Sequence, residues 1–505
     1  MNGILGSVVS GLGTAFQVPH IIAMIVGVAM GTVFGALPGL NATTGMALLL
    51  PIVYGIVDIN TGLLMLAGIY AGALYGGSIS AILLGIPGTA AAMPTTFDGF
   101  PMAKKGKANS ALLFGLYGSS FGGVAGALVL MFLTPPIASI AIKFGAPEML
   151  ALGLWGMAMV SSVVGTNVVK GAFMALLGLI ASTVGASPAN GAPRFTFGDY
   201  NLIGGFSLVA LLLGTLALPH VFDMITGFDS GEAYYSPPLG ARKFFLRPKE
   251  ILVHTVLMIR SSIIGVIVGI APAAGPTIAA FMSYNAAKQA SKKPETFGQG
   301  NPEGVLASET ANNAAVGGSL VLTMSLGIPG SAAAAVFMSA LIMRGIQPGP
   351  MLFKNNSSMV YTFFAGYLII NVLVFLLGHL FVPLGSYIIK MPEKLLAPII
   401  LVICVVGAYS ESQTMFAVFV MLIASFLAYV LTKMQFPVGP LLLGLILGPI
   451  MEANFWTSYA ITYGNLWVIF KRPMFLIIVA MAIVTFCIPA IKTAFKKRKA
   501  QNAKS

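Results

Sequence analysis

Charged positions are few and bunched along this chain, and the stretches between them are apolar. No charged residue precedes Asp58, and uncharged runs then cover 59–97, 108–142, 171–193, 261–287, 310–343, 355–389, 412–432 and 474–491. A helix crossing a bilayer takes about 20 apolar residues, so these runs predict about 11 to 13 membrane segments, the longest of which must fold back or contain hairpins. The pattern is that of an all-α integral membrane protein. The N-terminus lacks the basic stretch and small-residue cleavage site of a signal peptide, so the first apolar segment is expected to be retained.

The apolar runs are broken in a repeating way. GIPG stands at 85–88 and again at 327–330, followed each time by a hydroxyl residue, Thr89 or Ser331, and by alanines. Pro removes a backbone donor, Gly permits a sharp turn, and the alanines restart a helix with Thr89 or Ser331 at the N-cap position. Backbone groups freed at membrane depth cannot face lipid, so each GIPG predicts a broken or re-entrant hairpin facing protein or a wet cavity. Two other motifs share the design. PGLNATTG puts Pro38 and Gly39 at a break, Asn41 at a cap and Thr43 and Thr44 in the next turn; APAAGPT puts Pro272 at a break and Thr277 just after a restart at Pro276.

These motifs recur in order. GALPGLNATTG (35–45) echoes weakly in GIAPAAGPTIA (269–279), and GGSISAILLGIPGTAAA (76–92) strongly in GGSLVLTMSLGIPGSAAA (317–334). TPPIASIAIKFGAPE (134–148) returns as VPLGSYIIKMPE (382–393), and LLLGTLALP (211–219) as LLLGLILGP (441–449). The sequence reads as two related halves, 1–235 and 236–470, with a final membrane helix and a basic tail over 471–505. After the first motif, half two carries Lys288, Lys292 and Lys293 where half one has the acidic YGIVDINTG; after the second, half one carries Lys104, Lys105 and Lys107 where half two has only Arg344 and Lys354. Basic loops stay in the cytoplasm, so the reversed bias predicts inverted repeats, with loop 102–108, the 240–250 seam and the C-terminus cytoplasmic.

Composition narrows the function. The chain is 57% hydrophobic and 8% charged, against about a quarter charged in a soluble domain. Its net charge of +13 sits in clusters beside apolar runs, with no base-stacking pattern, so it orients the chain in a bilayer and implies no nucleic acid. Cys404 and Cys487 have no metal-ligand spacing and read as small hydrophobes. The histidines are scattered, and HExxH, GxxxxGK[ST] and GxSxG are absent, so no enzyme, no ATP-driven pump and no cofactor is expected.

What remains is a site made from backbone. Helix N-termini after the breaks present N–H groups and small hydroxyls, which bind an anion without arginine. The candidate substrate residues are Pro38, Gly39, Asn41, Thr43, Thr44, Pro87, Gly88, Thr89, Pro272, Thr277, Pro329, Gly330 and Ser331. For a coupling ion, Asn312 and Asn313 of ETANNAAVGGS, with Ser78 and Ser319 of the paired GGS triplets, offer oxygens to Na⁺; H⁺ is the alternative. Glu309, Arg260 and Glu452 lie near segment ends and are expected at the interface. Glu148 and Glu393 each follow a Pro, in the first turn of a helix, where an acid is favourable.

GALPGLNATTGMALLLP, YGGSISAILLGIPGTAAAMPTTFDGFPMAKKGKA, NNAAVGGSLVLTMSLGIPGSAAAAVFMSALIMRGIQPGP and GPLLLGLILGPIMEANF closely resemble the large permease subunit (TctA) of the tripartite tricarboxylate transporter family. The resemblance runs from about residue 20 to about residue 470, and APAAGPT departs from the family's more usual Leu-Pro-Gly form. It implies an ion-gradient-driven importer of citrate or another carboxylate in the bacterial inner membrane. It also implies a small membrane subunit and a periplasmic solute-binding protein that delivers substrate. An elevator-type motion would carry the motif hairpins against scaffold helices at 108–142 and 355–389. The rivals are an ion/proton antiporter of similar repeat, which would want a buried acid in the motif cores, and a passive anion channel.

Overall fold

The computed structural model describes residues 2–37, 40–158, 168–226, 244–271, 275–388 and 393–485. The helices that build it are α1 (Asn2–Ala15), α2 (Val18–Ala36), α3 (Ala42–Gly55), α4 (Ile59–Leu84), α5 (Met93–Met102), α6 (Ala108–Ala141), α7 (Ala146–Ala158) and α8 (Val168–Ser182). A helical stretch, Leu208–Ile225, is α9. There follow α10 (Thr255–Ile270), α11 (Gly275–Ala290), α12 (Pro302–Leu326), α13 (Ala332–Met343), α14 (Ser357–Ile388), α15 (Glu393–Ser412), α16 (Met415–Lys433) and α17 (Val438–Ile461). Among the described residues, eight helices are long and apolar enough to cross a membrane, and five shorter apolar ones accompany them, the last at Pro473–Thr485. The 235/236 boundary, Cys487 and the basic tail lie outside the described residues. One departure from an all-helical chain is a two-residue antiparallel ladder, Gly185–Ala186 against Pro193–Arg194, closed by the turn formers of SPANGA.

Two helices form the middle of the molecule. In α4 every residue from Thr61 to Leu84 is buried, and in α12 every residue from Gly304 to Ser325. Lipid is as apolar as leucine, so helices in a bilayer gain by bringing backbones together at small residues. A Cβ at Gly27, Gly31 or Gly35 of α2 would come within 2.4, 2.3 and 2.0 Å of the carbonyls of Met65, Ile69 and Ala73 on α4. The match of α10 to α12 is the same: Gly265 lies on Ala311 and Gly269 on Ala315, with 2.4 and 2.2 Å left for a Cβ. On its other side α12 meets α6, where Gly122 leaves 2.0 Å to Thr310 O. Helix α14 lies along α4 and α1. The stretches 108–142 and 355–389 thus supply two of the long helices, α6 and α14, packed beside the central ones.

Helix starts follow their caps. Asp58 accepts from Thr61 N at 2.8 Å to open α4, and also from His20 Nε2 at 2.9 Å. Partial burial raises the Asp58 pKa, but the Thr61 and His20 hydrogen bonds outweigh it and hold the carboxyl below its ordinary value. Asn41 opens α3 by accepting from Thr44 N at 3.0 Å, as its motif predicts. Helices α4 and α12 end alike, on Gly85 and Gly327 in the left-handed region at φ 72° and 71°, a conformation glycine adopts without cost.

Two polar latches tie the turns to the central helices. Past the first GIPG turn, Asp98 of α5 is fully buried, and its Oδ1 accepts from Gly298 N, Gly300 N and Asn301 N at 2.9, 2.9 and 2.8 Å in the loop that heads α12. Its Oδ2 takes the Tyr284 hydroxyl at 2.8 Å. Past the second turn, Arg344 at the end of α13 donates to Val53 O at 3.2 Å and to Ile56 O, in the segment that heads α4. We expect Asp98→Ala to strand these donors and cost about 3 kcal/mol, whereas Asp98→Asn keeps an acceptor and loses less. Thermal unfolding of the two variants in detergent checks the order.

Candidate functional site

Each GIPG turn folds back on the helix it leaves. At the first, Gly88 N donates to Gly77 O at 3.3 Å, and a Cβ on Gly88 would lie 1.9 Å from Gly35 O, at the end of α2. The turn is therefore pressed against the start of the PGLNATTG break. At the second, Gly330 sits on Ser319, and Ser331 Cβ is 3.4 Å from where a Cβ on Gly275 would be, beside the APAAGPT break. Each turn thus meets the other break of its own half. Between halves, the Tyr70 hydroxyl of α4 shares a 2.8 Å hydrogen bond with Ser331 Oγ.

The predicted site residues separate on inspection. Ser331 caps α13, accepting from Ala334 N at 3.1 Å, and receives Ser319 Oγ at 3.3 Å. Thr89 was expected to cap in the same way, but its side chain makes no cap hydrogen bond, because a short 3₁₀ turn, Ala90–Ala92, intervenes before α5. Its hydroxyl is buried with no partner. Thr44 is buried and Thr43 half-buried, with Thr44 Oγ1 3.4 Å from Leu216 O; Thr277 is half-buried in the first turn of α11. Pro87, Gly88, Pro329 and Gly330 form the turns themselves. Pro38, Gly39 and Pro272 lie outside the described residues.

The oxygens proposed for a coupling ion do not form one group. Ser78 Oγ donates to Tyr75 O of its own helix at 2.7 Å and faces Gly115 of α6, whereas Ser319 belongs to the second turn. Asn312 and Asn313 are buried side by side on α12, where Asn313 Nδ2 donates to Glu309 O at 3.1 Å and to Asn312 Oδ1. Expected at the interface, Glu309 is instead fully buried in the middle of the molecule. Its proximity to the chain's polar stretch misplaced it, since α12 begins at Pro302, well before it. Glu452 is half-buried in a bidentate pair with Arg194 at 2.5 and 3.0 Å, and Arg260 is half-buried. Glu148 pairs with Arg472 at 2.6 Å and accepts Gly145 N at 2.8 Å at the head of α7; the Glu393 side chain lies outside the description.

A cleft of about 770 Å³ opens behind the second turn, between α8, α17 and the loop 345–348, with Arg194, Glu452, Phe206 and Gln347 on its walls. Gly327 and Ile328 of the turn, with Gln347 and Pro348, line a narrower pocket next to it. Among the described residues no cluster of His, Cys, Asp and Glu is arranged to hold a metal.

Two GIPG helix breaks held inside a many-helix apolar body, with the Thr89 and Ser331 hydroxyls just after them, fit a multi-pass membrane permease. The chain belongs to the tripartite tricarboxylate transporter TctA family, whose model matches residues 21–443. It is 34% identical over 498 residues, 99% of this chain and 98% of the relative, to an uncharacterized 52.8 kDa protein in the TAR-I ttuC′ 3′ region of Agrobacterium vitis. A second Agrobacterium vitis protein, in the TAR-II ttuC′ 3′ region, is 31% identical over 234 residues, 46% of this chain and 97% of that relative. No solved structure matches.

Proposed function

We propose that the chain is the membrane permease of an ion-gradient-driven carboxylate importer of the bacterial inner membrane. It works with a small membrane subunit and a periplasmic solute-binding protein that hands over substrate. The observation that carries this reading is the pair of GIPG turns: the second is buried throughout, the first is buried at Gly88 and Thr89, each leads into a new helical stretch, and one carries a hydroxyl, that of Thr89, with no partner inside the protein. Several buried hydroxyls here, Ser283 and Thr310 among them, also lack a protein partner, but Thr89 alone of these follows a GIPG turn, where an unpartnered donor suits a bound anion. Saturable uptake of labelled citrate, succinate or acetate into proteoliposomes holding the chain and both partners tests the reading. Uptake that is linear in concentration and indifferent to the binding protein would make the chain a passive channel.

Inversion of the two halves is part of the proposal. The loop heading α12 lies against Asp98, just past the end of α4, while the segment heading α4 lies against Arg344, just past the end of α13. Lys105 Nζ donates to Gln299 O at 2.7 Å, which sets the two lysine-rich loops on one face. The positive-inside rule makes that face cytoplasmic. In a background with Cys404 and Cys487 replaced by Ala, Lys105→Cys and Lys292→Cys should resist an impermeant thiol reagent in spheroplasts. Val57→Cys, at a position 92% exposed, should react. Reaction at all three positions, or at none, would rule the inverted arrangement out.

A further inference from the structure

Glu309 is a carboxyl group with no cation to answer it. It is fully buried in α12, and among the described residues it takes part in no ion pair. Instead two hydroxyls close on it from two other helices, with the Asn312 side chain beside it one turn on in α12. Thr95 of α5 donates to Oε1 at 2.5 Å, and Ser119 of α6 donates to Oε2 at 3.0 Å. Ser308 Oγ lies 2.9 Å from both Thr95 Oγ1 and Gly304 O, and gives its one proton to either. An ionised carboxylate in such a place costs far more than hydroxyl hydrogen bonds return, unless it neutralises.

The surroundings offer no other way to neutralise it. Of the elements packed on α12, α4 faces Glu309 with Tyr75, whose hydroxyl is directed to Gly378 O at 3.4 Å. Asp98 of α5 is taken up by Tyr284 of α11 and by loop N–H groups. Arg260 of α10, Lys288 of α11 and Lys354 beyond α13 are the other charged residues on those elements, and among the described residues none forms an ion pair with the carboxyl. Helix α6 carries no charged residue at all. A metal ion would have to stand between the carboxylate and its hydroxyls, yet Thr95 and Ser119 are already at hydrogen-bond distance from the two oxygens. A proton needs no such room. A hydroxyl donates to a carboxylate and accepts from a carboxylic acid, so the same partners serve both forms.

We propose that Glu309 is the group that takes up and releases the coupling proton of the transport cycle. On uptake an O–H bond forms at one carboxyl oxygen, and the hydroxyl beside it turns from donor to acceptor; on release the bond breaks and the donors return. No electron moves. The inference rests on the permease reading and adds to it the identity of the coupling ion. Thr95 makes the link to substrate: it stands on the helix that leaves the first GIPG turn, so the charge on Glu309 sets the hydrogen bond that holds α5 to α12. Glu309 is then a proton-binding group, and Thr95 and Ser119 are positioning residues.

The test uses the full chain, with both partners, in proteoliposomes, and compares the parent with Glu309→Gln. Without substrate, infrared difference spectra across pH steps should show the carbonyl stretch of a buried carboxylic acid in the parent and lose it in Glu309→Gln. With citrate, succinate and acetate as probes, Glu309→Gln should lower pH-gradient-driven accumulation by about tenfold or more, within the range of a coupling free energy. Exchange of internal for external probe, which needs no net proton movement, should continue at the parent rate, a split that a merely structural role would not give. If Glu309→Gln fails to fold, Thr95→Val and Ser119→Ala keep the acid while each removes a donor, and the pH midpoint of the band should rise. Persistence of the band in Glu309→Gln, unchanged accumulation, or a parent driven by Na⁺ alone would each overturn the proposal. A parent that moves no probe would sink the permease reading, and the infrared titration would still decide whether Glu309 binds the proton.

Discussion

Thr89→Val is expected to weaken carboxylate binding by about 10- to 150-fold, the equivalent of one hydrogen bond to a charged group, while leaving thermal stability where it was. The reason is that the Thr89 hydroxyl is buried and unpartnered, so removing it breaks nothing in the protein itself. Valine keeps the shape. Ser331→Ala should behave differently, because its hydroxyl holds Ala334 N, Tyr70 and Ser319. That variant should lose about 1 kcal/mol of stability from the cap alone, in addition to any loss of affinity. Binding of labelled citrate, succinate and acetate, measured beside unfolding in detergent, separates the two. If Thr89→Val binds its best probe like the parent, the first turn is only a kink and the site lies elsewhere.

The largest loss of stability should come from Gly88→Ala. A methyl group there would stand 1.9 Å from Gly35 O and 2.5 Å from Ser80 Oγ. The first of these is backbone, fixed by the packing of α2 on α4, and cannot swing away. Overpacking of this kind costs about 3 kcal/mol or more, enough to prevent accumulation of a folded chain in the membrane. Gly439→Ala is the control, with nothing within 4 Å of its Cβ and a helical position where alanine is favoured. Equal yields and melting points for the two variants would mean that the turn is not pressed against α2.

The turns, the caps at Asn41 and Ser331 and the membrane class were legible because each rests on a local rule: where Pro and Gly interrupt, which side chain can cap, how long an apolar run must be. The difference between Thr89 and Ser331 was not legible. The two share a motif, and only the 3₁₀ turn after Thr89 sets them apart. Glu309 was misjudged for a related reason. Charge near the end of an apolar run suggests an interface, yet α12 starts early enough to carry the acid inward, and the hydroxyls that receive it come from residues distant in sequence, Thr95 and Ser119. The packing of Gly27, Gly31 and Gly35 on α4 is visible as a four-residue spacing, but its partner is not.

The polar content of α12 also bears on how the protein is made. This helix is long enough to cross a bilayer but is not among the eight apolar enough to do so by themselves; it carries Ser308, Glu309, Thr310, Asn312, Asn313, Ser319, Thr323 and Ser325. A segment of that kind partitions poorly from the translocon into lipid. Its companion α6 is synthesised much earlier and presents Gly118, Gly122 and Gly126 to it, and α10, two helices before it in the chain, brings Gly265 and Gly269. During biosynthesis α12 therefore has a protein surface waiting for it on two sides, and its entry into the membrane is an act of assembly in which the nascent chain supplies its own solvent.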